Sequence, residues 1–370
     1  MNIRFISRPI SPPWDSGSRN MAYGLGVYLG KYQHKIHIPT VRGFHPSATN
    51  IIAEPVFTNR SFDWFQKARL FLHLLTARSV DIFHFFLGLT DSTAKMLSWA
   101  ARIRRTPSVI TLTHIPKLGK PPVAFGQRIV TYSAYLAQLL QQAGIEKVIH
   151  IPPGIDEQQF HPGINDHHKV GSALGIPSDV PVILYGGQFS KSATLGTLLK
   201  TISLCVARNK ETHFVLACRI RRKHERVRQK EIIQQLKNVT WGRNVIVHER
   251  VHNMRGLIAR ADVCVLPLRN TYGKVDIPLF LLEAMALAKP IVITDVAPMN
   301  ELLEDPVGLA VPVDDEDALT HAIEKMLVEG KNYGACGRKL IEKKYTLKQV
   351  AGQYQSLYLG LLDEAHSKLL

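Results

Sequence analysis

Residues 262–300, DVCVLPLRNTYGKVDIPLFLLEAMALAKPIVITDVAPMN, constrain the fold more than any other stretch of this chain. An apolar run at 263–268 has the length of a buried strand, and a polar loop follows at 269–276. An apolar helix over 279–287 carries one acid, Glu283, and Pro290 then breaks the chain before a second apolar run at 291–294. Strand, loop, helix and strand spell one βαβ unit. In such units ligands collect beyond the carboxyl ends of the strands, where the unpaired N–H groups of a helix start face anions. A carboxylate on an otherwise apolar helix needs a partner, and either a neighbouring amide or a polyhydroxylated ligand would serve.

The same alternation of short apolar runs and amphipathic segments extends through the chain, so the predicted class is α/β. At 370 residues and 45% apolar content the chain has material for about two domains. The net charge of +16 is unevenly placed: residues 1–150 hold 18 Lys and Arg against 6 Asp and Glu, and the remainder holds 28 against 24. The basic first half predicts affinity for an anionic partner, whether a phospholipid surface, a lipid-phosphate acceptor or an acidic glycan. No nucleic-acid module is recognisable and the cations are not interleaved with aromatics, so no nucleic-acid partner is expected. Cys205, Cys218, Cys264 and Cys336 lack CxxC spacing and predict neither a metal site nor a disulfide framework. The N-terminus reads as a strand without the apolar core of a signal peptide, and no window approaches a membrane span. The expected location is cytoplasmic, with any membrane contact peripheral.

Taken in order, a strand at 2–7 opens into the loop SPPWDSGS and a helix near 19–30, with Gly17 at the helix start and Ser18 as a candidate N-cap. His84 and His114 each close a predicted strand, which is where an α/β site forms, although a lone histidine there is more often structural. Residues 163–179 have the composition of a linker, and the run RIRRKHERVRQK reads as a solvated helix face. There is no GxGxxG at the required spacing and no GxxxxGK[ST], so neither a dinucleotide fold nor a P-loop is supported.

Three phrases carry a resemblance: LLEAMALAKPIVITD at 281–295, RIVTYSAYLAQLLQQAGIEKVIHIPPGIDEQQFHPG at 128–163, and VITLTHI at 109–115. Together they resemble the family 4 retaining nucleotide-sugar glycosyltransferases, also called group 1. The resemblance implies the GT-B fold, with two Rossmann-like domains facing each other across a cleft. An acceptor-binding domain would span 1–165, completed by a C-terminal helix at about 346–370, and a nucleotide-sugar domain would span 170–345.

The resemblance also implies residue roles. His114 would contact the donor sugar, with His84 the weaker match, on the acceptor side. Gly17, beside Ser16, stands for the glycine loop facing diphosphate and acceptor. Glu283 would bind the ribose hydroxyls, and the amides of Leu279 and Phe280 would face phosphate. The family's pattern of two glutamates eight residues apart fails at Val275, leaving Asp276 as the substitute that holds the sugar hydroxyls. An arginine of the family reads Gln188 here and its lysine falls near Ala193, leaving Lys191, Arg219 or Arg222 as replacements. Pro278 stands where a glycine is usual. The implied donor is a UDP- or GDP-type nucleotide sugar, with no metal and no cofactor, and the acceptor a glycan or lipid phosphate. The altered diphosphate contacts leave a second expectation, a weak or inactive GT-B protein acting as a binding partner.

Overall fold

The computed structural model describes residues 1–12, 14, 16–87, 91–115, 126–164, 167–189, 192–220, 222–272 and 276–367. Its strands are β1 (Asn2–Ile6), β2 (Lys35–Val41), β3 (Ile51–Phe57), β4 (Ile82–Leu87), β5 (Ser108–Leu112), β6 (Arg128–Thr131), β7 (Val148–His150), β8 (Val182–Gln188), β9 (His213–Arg219), β10 (Val245–His248), β11 (Val263–Leu266), β12 (Ile291–Thr294) and β13 (Gly308–Val311). Its helices are α1 (Gly17–Leu29), α2 (Trp64–Thr76), α3 (Asp91–Arg104), α4 (Ala134–Gln142), α5 (His167–Ala173), α6 (Ser192–Arg208), α7 (Lys223–Lys237), α8 (Met254–Arg260), α9 (Leu279–Ala286), α10 (Glu316–Leu340) and α11 (Leu347–Ser367). The chain divides into two compact units. The first comprises Met1–Asp156, Thr271–Ile277 and Lys344–Leu370, and the second Glu157–Asn270 and Pro278–Lys343.

The first unit is built on a parallel sheet of order β3-β2-β1-β4-β5-β6-β7. Alternation along the strands sorts its two faces. Ile6, Phe83, Phe85 and Ile110 point to the core under α2, α3 and α4, where they meet Leu70, Leu74, Leu97 and Leu136. Phe5 and His84 point the other way, and their rings meet at 5.2 Å. The face that Phe5 and His84 share is closed by α1 and by α11, the last helix among the described residues, packed together. Gly24 and Gly154 make that packing close: a Cβ on Gly24 would stand 2.9 Å from the Leu347 side chain, and one on Gly154 would stand 3.0 Å from the Leu347 backbone. Ile155 N–H donates to Tyr345 O at 2.7 Å and Leu347 N–H to Ile155 O at 2.9 Å, so the PPGID turn receives the returning chain as an added backbone ladder.

The second unit has a parallel sheet of order β10-β9-β8-β11-β12-β13. Its strands β8, β11 and β12 are buried on both sides and correspondingly rich in Val, Ile, Leu and Cys. α10 starts on an N-cap, Asp315, whose side chain accepts from Ala318 N–H. The acids Glu316 and Asp317 stand in its first turn and Arg338 and Lys339 in its last, matching the helix dipole at both ends. Arg338 Nη1 donates to the carbonyls of Glu157, Phe160 and Ala286, at 3.2, 2.7 and 2.9 Å, and so pins the segment after PPGID against α9. The stretch expected to be a linker contains the two-turn helix α5. It packs on α8, and Gly256 lets Val170 approach closely there. Three of the four cysteines are buried, and burial pushes the Cys205 and Cys264 thiols up to about 12, where they are poor nucleophiles.

Candidate functional site

In the second unit the chain runs from β8 outward through β9 to β10, then returns to the other side of β8 with β11 and continues to β12 and β13. The order therefore reverses between β8 and β11, and a ligand crevice of a doubly wound sheet opens beyond the carboxyl ends of such a pair. Gln188 ends β8, and Phe280 and Glu283 lie on α9, the helix after β11. A Cβ on Gly186 would stand 2.6 Å from two ring atoms of Phe280, so only a glycine at this point of β8 lets that ring lie against the strand end.

α9 begins at Pro278, which has no N–H to offer. The first helical N–H groups, those of Leu279 and Phe280, donate to no acceptor among the described residues. One turn on, Glu283 is half-buried with apolar neighbours in sequence on either side. Its carboxylate has no hydrogen bond or ion pair among the described residues, and burial pushes its pKa up to about 7. A carboxylate left in that state is held ready for donors from outside the protein, and a vicinal diol supplies two.

Sequence reasoning left the missing diphosphate cation open among three residues. Arg219 ends β9 and pairs in register with Gln188, the position from which the arginine is missing. Arg222 is the N-cap of α7, and its backbone N–H donates to Glu225 Oε2 at 2.9 Å. Lys191 lies outside the described residues. A further cation at this edge, Arg269 after β11, donates from Nε to Asp314 Oδ1 at 2.6 Å and is thereby committed within the protein.

In the first unit the reversal falls between β1 and β4. The loop after β1 leads to Ser16, which is the N-cap of α1 in place of Ser18, and the helix starts at Gly17. The carbonyl of Ser16 accepts the N–H groups of Arg19 and Asn20 at 3.0 and 2.9 Å. Trp14 on this loop meets Tyr23 of α1 and Phe44, with ring centroids 4.8 and 5.9 Å away. Trp14 stays 43% exposed, a flat apolar face the sequence reading passed over. Its signal was available in the single Trp of SPPWDSGS, but Tyr23 and Phe44 are joined to it only by the fold.

His114 is half-buried beyond β5, with Nδ1 2.8 Å from Thr113 Oγ1. Asp276 lies in the same place: its N–H donates to Thr113 O at 3.3 Å. The Asp276 carboxylate is fully buried. It accepts from the N–H groups of Tyr132 and Ser133, at 3.0 and 2.9 Å, and from Ser133 Oγ at 2.6 Å. Those bonds hold the turn from β6 into α4, a different task from the sugar contact expected of it. His84 also differs from its expected acceptor role. It is fully buried with Nδ1 2.6 Å from Tyr358 Oη and Nε2 2.7 Å from Thr111 Oγ1, and burial holds its pKa well below the ordinary value. A neutral ring with both nitrogens engaged under α11 is core, and no face of it meets solvent.

Two all-parallel, doubly wound units of this kind define the GT-B fold. Residues 180–329 match the family model for glycosyl transferases group 1, so the second unit carries a group 1 glycosyltransferase domain. Among solved structures, the chain is similar to sucrose-phosphate synthase from Thermosynechococcus elongatus at TM-score 0.77 and 17% identity, over 98% of this chain and 99% of that one. It is similar to HepE from Anabaena in complex with UDP-glucose at TM-score 0.76 and 16% identity, over 97% and 100%. A glycosyltransferase from Rickettsia africae superposes at TM-score 0.75 and 16% identity, over 98% of each chain. No curated protein matches the chain.

Proposed function

We propose that the protein is a retaining glycosyltransferase of family 4 type, moving a sugar from a UDP- or GDP-type donor to a hydroxyl of a glycan or lipid-linked acceptor. The observation that carries this reading is the half-buried carboxylate of Glu283, without a hydrogen bond or ion pair among the described residues and one turn from the open N–H groups of Leu279 and Phe280. Glu283 accepts the ribose hydroxyls, and the helix start together with Arg219 faces the diphosphate. In the transfer the bond from the anomeric carbon to the diphosphate oxygen breaks and one to the acceptor oxygen forms. The acceptor proton passes to the departing phosphate. Charge grows on that phosphate as the bond breaks, so fixed donors and cations aimed at it lower the barrier, and the reading asks for no metal. The acceptor belongs with the first unit, where Trp14 offers an aromatic face to a sugar ring and Ser16, Gly17 and His114 end the neighbouring elements. That HepE has been solved with UDP-glucose is consistent with the donor class.

A second reading, a nucleotide-binding partner without turnover, draws on Gln188 and Pro278, which take charge and one N–H from the diphosphate subsite. Calorimetric titration with UDP, GDP, ADP and their glucose and mannose derivatives separates the two, when paired with release of nucleoside diphosphate in the presence of oligosaccharide acceptors. Saturable binding of one nucleotide, lost in Glu283→Ala, with turnover that falls by about 100-fold or more in Arg219→Ala supports the transferase, since a group at a developing charge contributes on that scale. Binding without turnover favours the partner. No binding by folded protein across the panel overturns both.

A further inference from the structure

Five of the most exposed large apolar side chains lie on two adjacent helices of the first unit: Trp64 (78% exposed), Phe65 (49%) and Leu72 (61%) on α2, and Trp99 (65%) and Ile103 (59%) on α3. α2 and α3 pack side by side, and Arg104 Nη1 reaches Leu75 O at 3.5 Å. α2 buries Gln66, Leu70 and Leu74 at four-residue spacing against the sheet. Phe65 and Leu72, seven apart, project from the opposite side, so the helix has a second apolar stripe that nothing among the described residues of the unit covers. On α3, Trp99 and Ile103 stand four apart and repeat the pattern. A patch of this kind marks an interaction surface rather than scattered surface residues.

The surrounding charge has one sign. Residues 58–79 contain Arg60, Lys67, Arg69 and Arg78 against the single acid Asp63, and residues 96–106 contain Arg102, Arg104 and Arg105 and no acid. Asp63 is itself engaged as the N-cap of α2, accepting from Gln66 N–H at 3.0 Å. Arg60, Arg78, Arg102 and Arg105 are all exposed. Arg69 lies 6.0 Å from the centroid of the Phe65 ring, and Lys67 Nζ lies 5.6 Å from that of Phe62. We infer that the outer face of α2 and α3 is a docking surface for an anionic lipid bilayer, with Trp64, Phe65, Leu72, Trp99 and Ile103 entering the headgroup boundary and the arginines meeting lipid phosphates. Tryptophan suits that boundary because its ring is apolar and its N–H polar. Arginine stems lie on the apolar surface while their heads stay among phosphates. No helix among the described residues is long and apolar enough to cross a membrane, so the contact is peripheral. The inference concerns the first unit alone and stands whether or not the donor reading does.

The test is co-sedimentation of the full chain with vesicles of phosphatidylcholine alone or with about one-third phosphatidylglycerol, alongside tryptophan quenching by brominated lipid. Binding to the anionic vesicles is expected, with weak binding to the neutral ones and strong quenching. Trp64→Ser with Trp99→Ser should lower the partition coefficient at least tenfold and remove most of the quenching. Arg78→Glu and Arg102→Glu should each lower it about fivefold or more, as loss of one cation near an anionic surface predicts. All four positions are exposed, so circular dichroism should be unchanged. The inference is overturned by no preference for anionic vesicles, or by binding that survives the double tryptophan variant. It is also overturned if vesicle-free protein forms a concentration-dependent dimer that the same substitutions abolish, which would give the face to a second copy of the chain.

Discussion

Replacing Glu283 by Gln should stabilise the protein at neutral pH while destroying its affinity for nucleotide. The ordinary value for a glutamate is 4.5 and burial raises this one to about 7. A raised carboxyl pKa penalises the folded state once the unfolded chain ionises, so stability is greatest below about pH 4.5 and falls as pH rises toward 7. A shift of this size corresponds to about 3.4 kcal/mol at 1.36 kcal/mol per unit. The side chain keeps some solvent contact, and screening trims the expected effect to ~2 kcal/mol. Glutamine keeps the shape without the ionisation, so Glu283→Gln should be more stable than the parent by roughly that amount at pH 8 and equal to it at pH 4.5. Binding shows the converse sign. A carboxylate that accepts two hydroxyl donors must be ionised, and with a pKa near 7 its ionised fraction rises from about a tenth at pH 6 to about nine-tenths at pH 8. Nucleotide affinity should therefore strengthen about tenfold over that interval and level off above it. In Glu283→Gln it should be weak and independent of pH. Urea unfolding at the two pH values and calorimetric titration between pH 6 and 8 read both. A variant less stable than the parent at pH 8, or parent affinity flat with pH, would refute the picture of an unpartnered carboxylate waiting for hydroxyls.

Two further substitutions test particular contacts. Gly186→Ala places a methyl group 2.6 Å from the Phe280 ring, which must swing away from β8; the overpacking should cost about 1–3 kcal/mol and weaken nucleotide binding, and an unchanged melting temperature would argue against the close approach. Asp276→Asn sets an NH2 group against one of the donors from Tyr132 and Ser133. The first unit should lose about 2 kcal/mol in denaturant unfolding while nucleotide affinity is kept; lost affinity with stability intact would assign Asp276 to the ligand.

Strands and helices were legible because the periodicities are strong: buried parallel strands read as continuous Val, Ile and Leu, as at 263–268 and 291–294. The GT-B fold was legible only through the family resemblance of phrases such as PPGID and LLEAMALAKP. Glu283 stood out because a charge on an apolar helix is a local anomaly. The roles of His84 and Asp276 were not legible, since each is decided by a residue far away in sequence: Tyr358 lies 274 positions from His84, and Ser133 lies 143 from Asp276. Arg219 could be put forward but not chosen, because only strand register sets it beside Gln188. The outer stripe of α2 was not legible either, since apolar residues around a helix do not say which side the fold leaves bare.

The return of α11 to the first unit sets an order on biosynthesis. Strands β1 to β7 emerge from the ribosome before the second unit, yet the sheet face bearing Phe5, His84 and Thr111 is sealed only when Tyr354 and Tyr358, which follow that unit, have been made. The second unit can complete its own core while the first still lacks the helix that packs beside α1 on this face. A nonsense mutation or proteolytic cut a few residues before Leu347 would thus disable the part of the protein translated first.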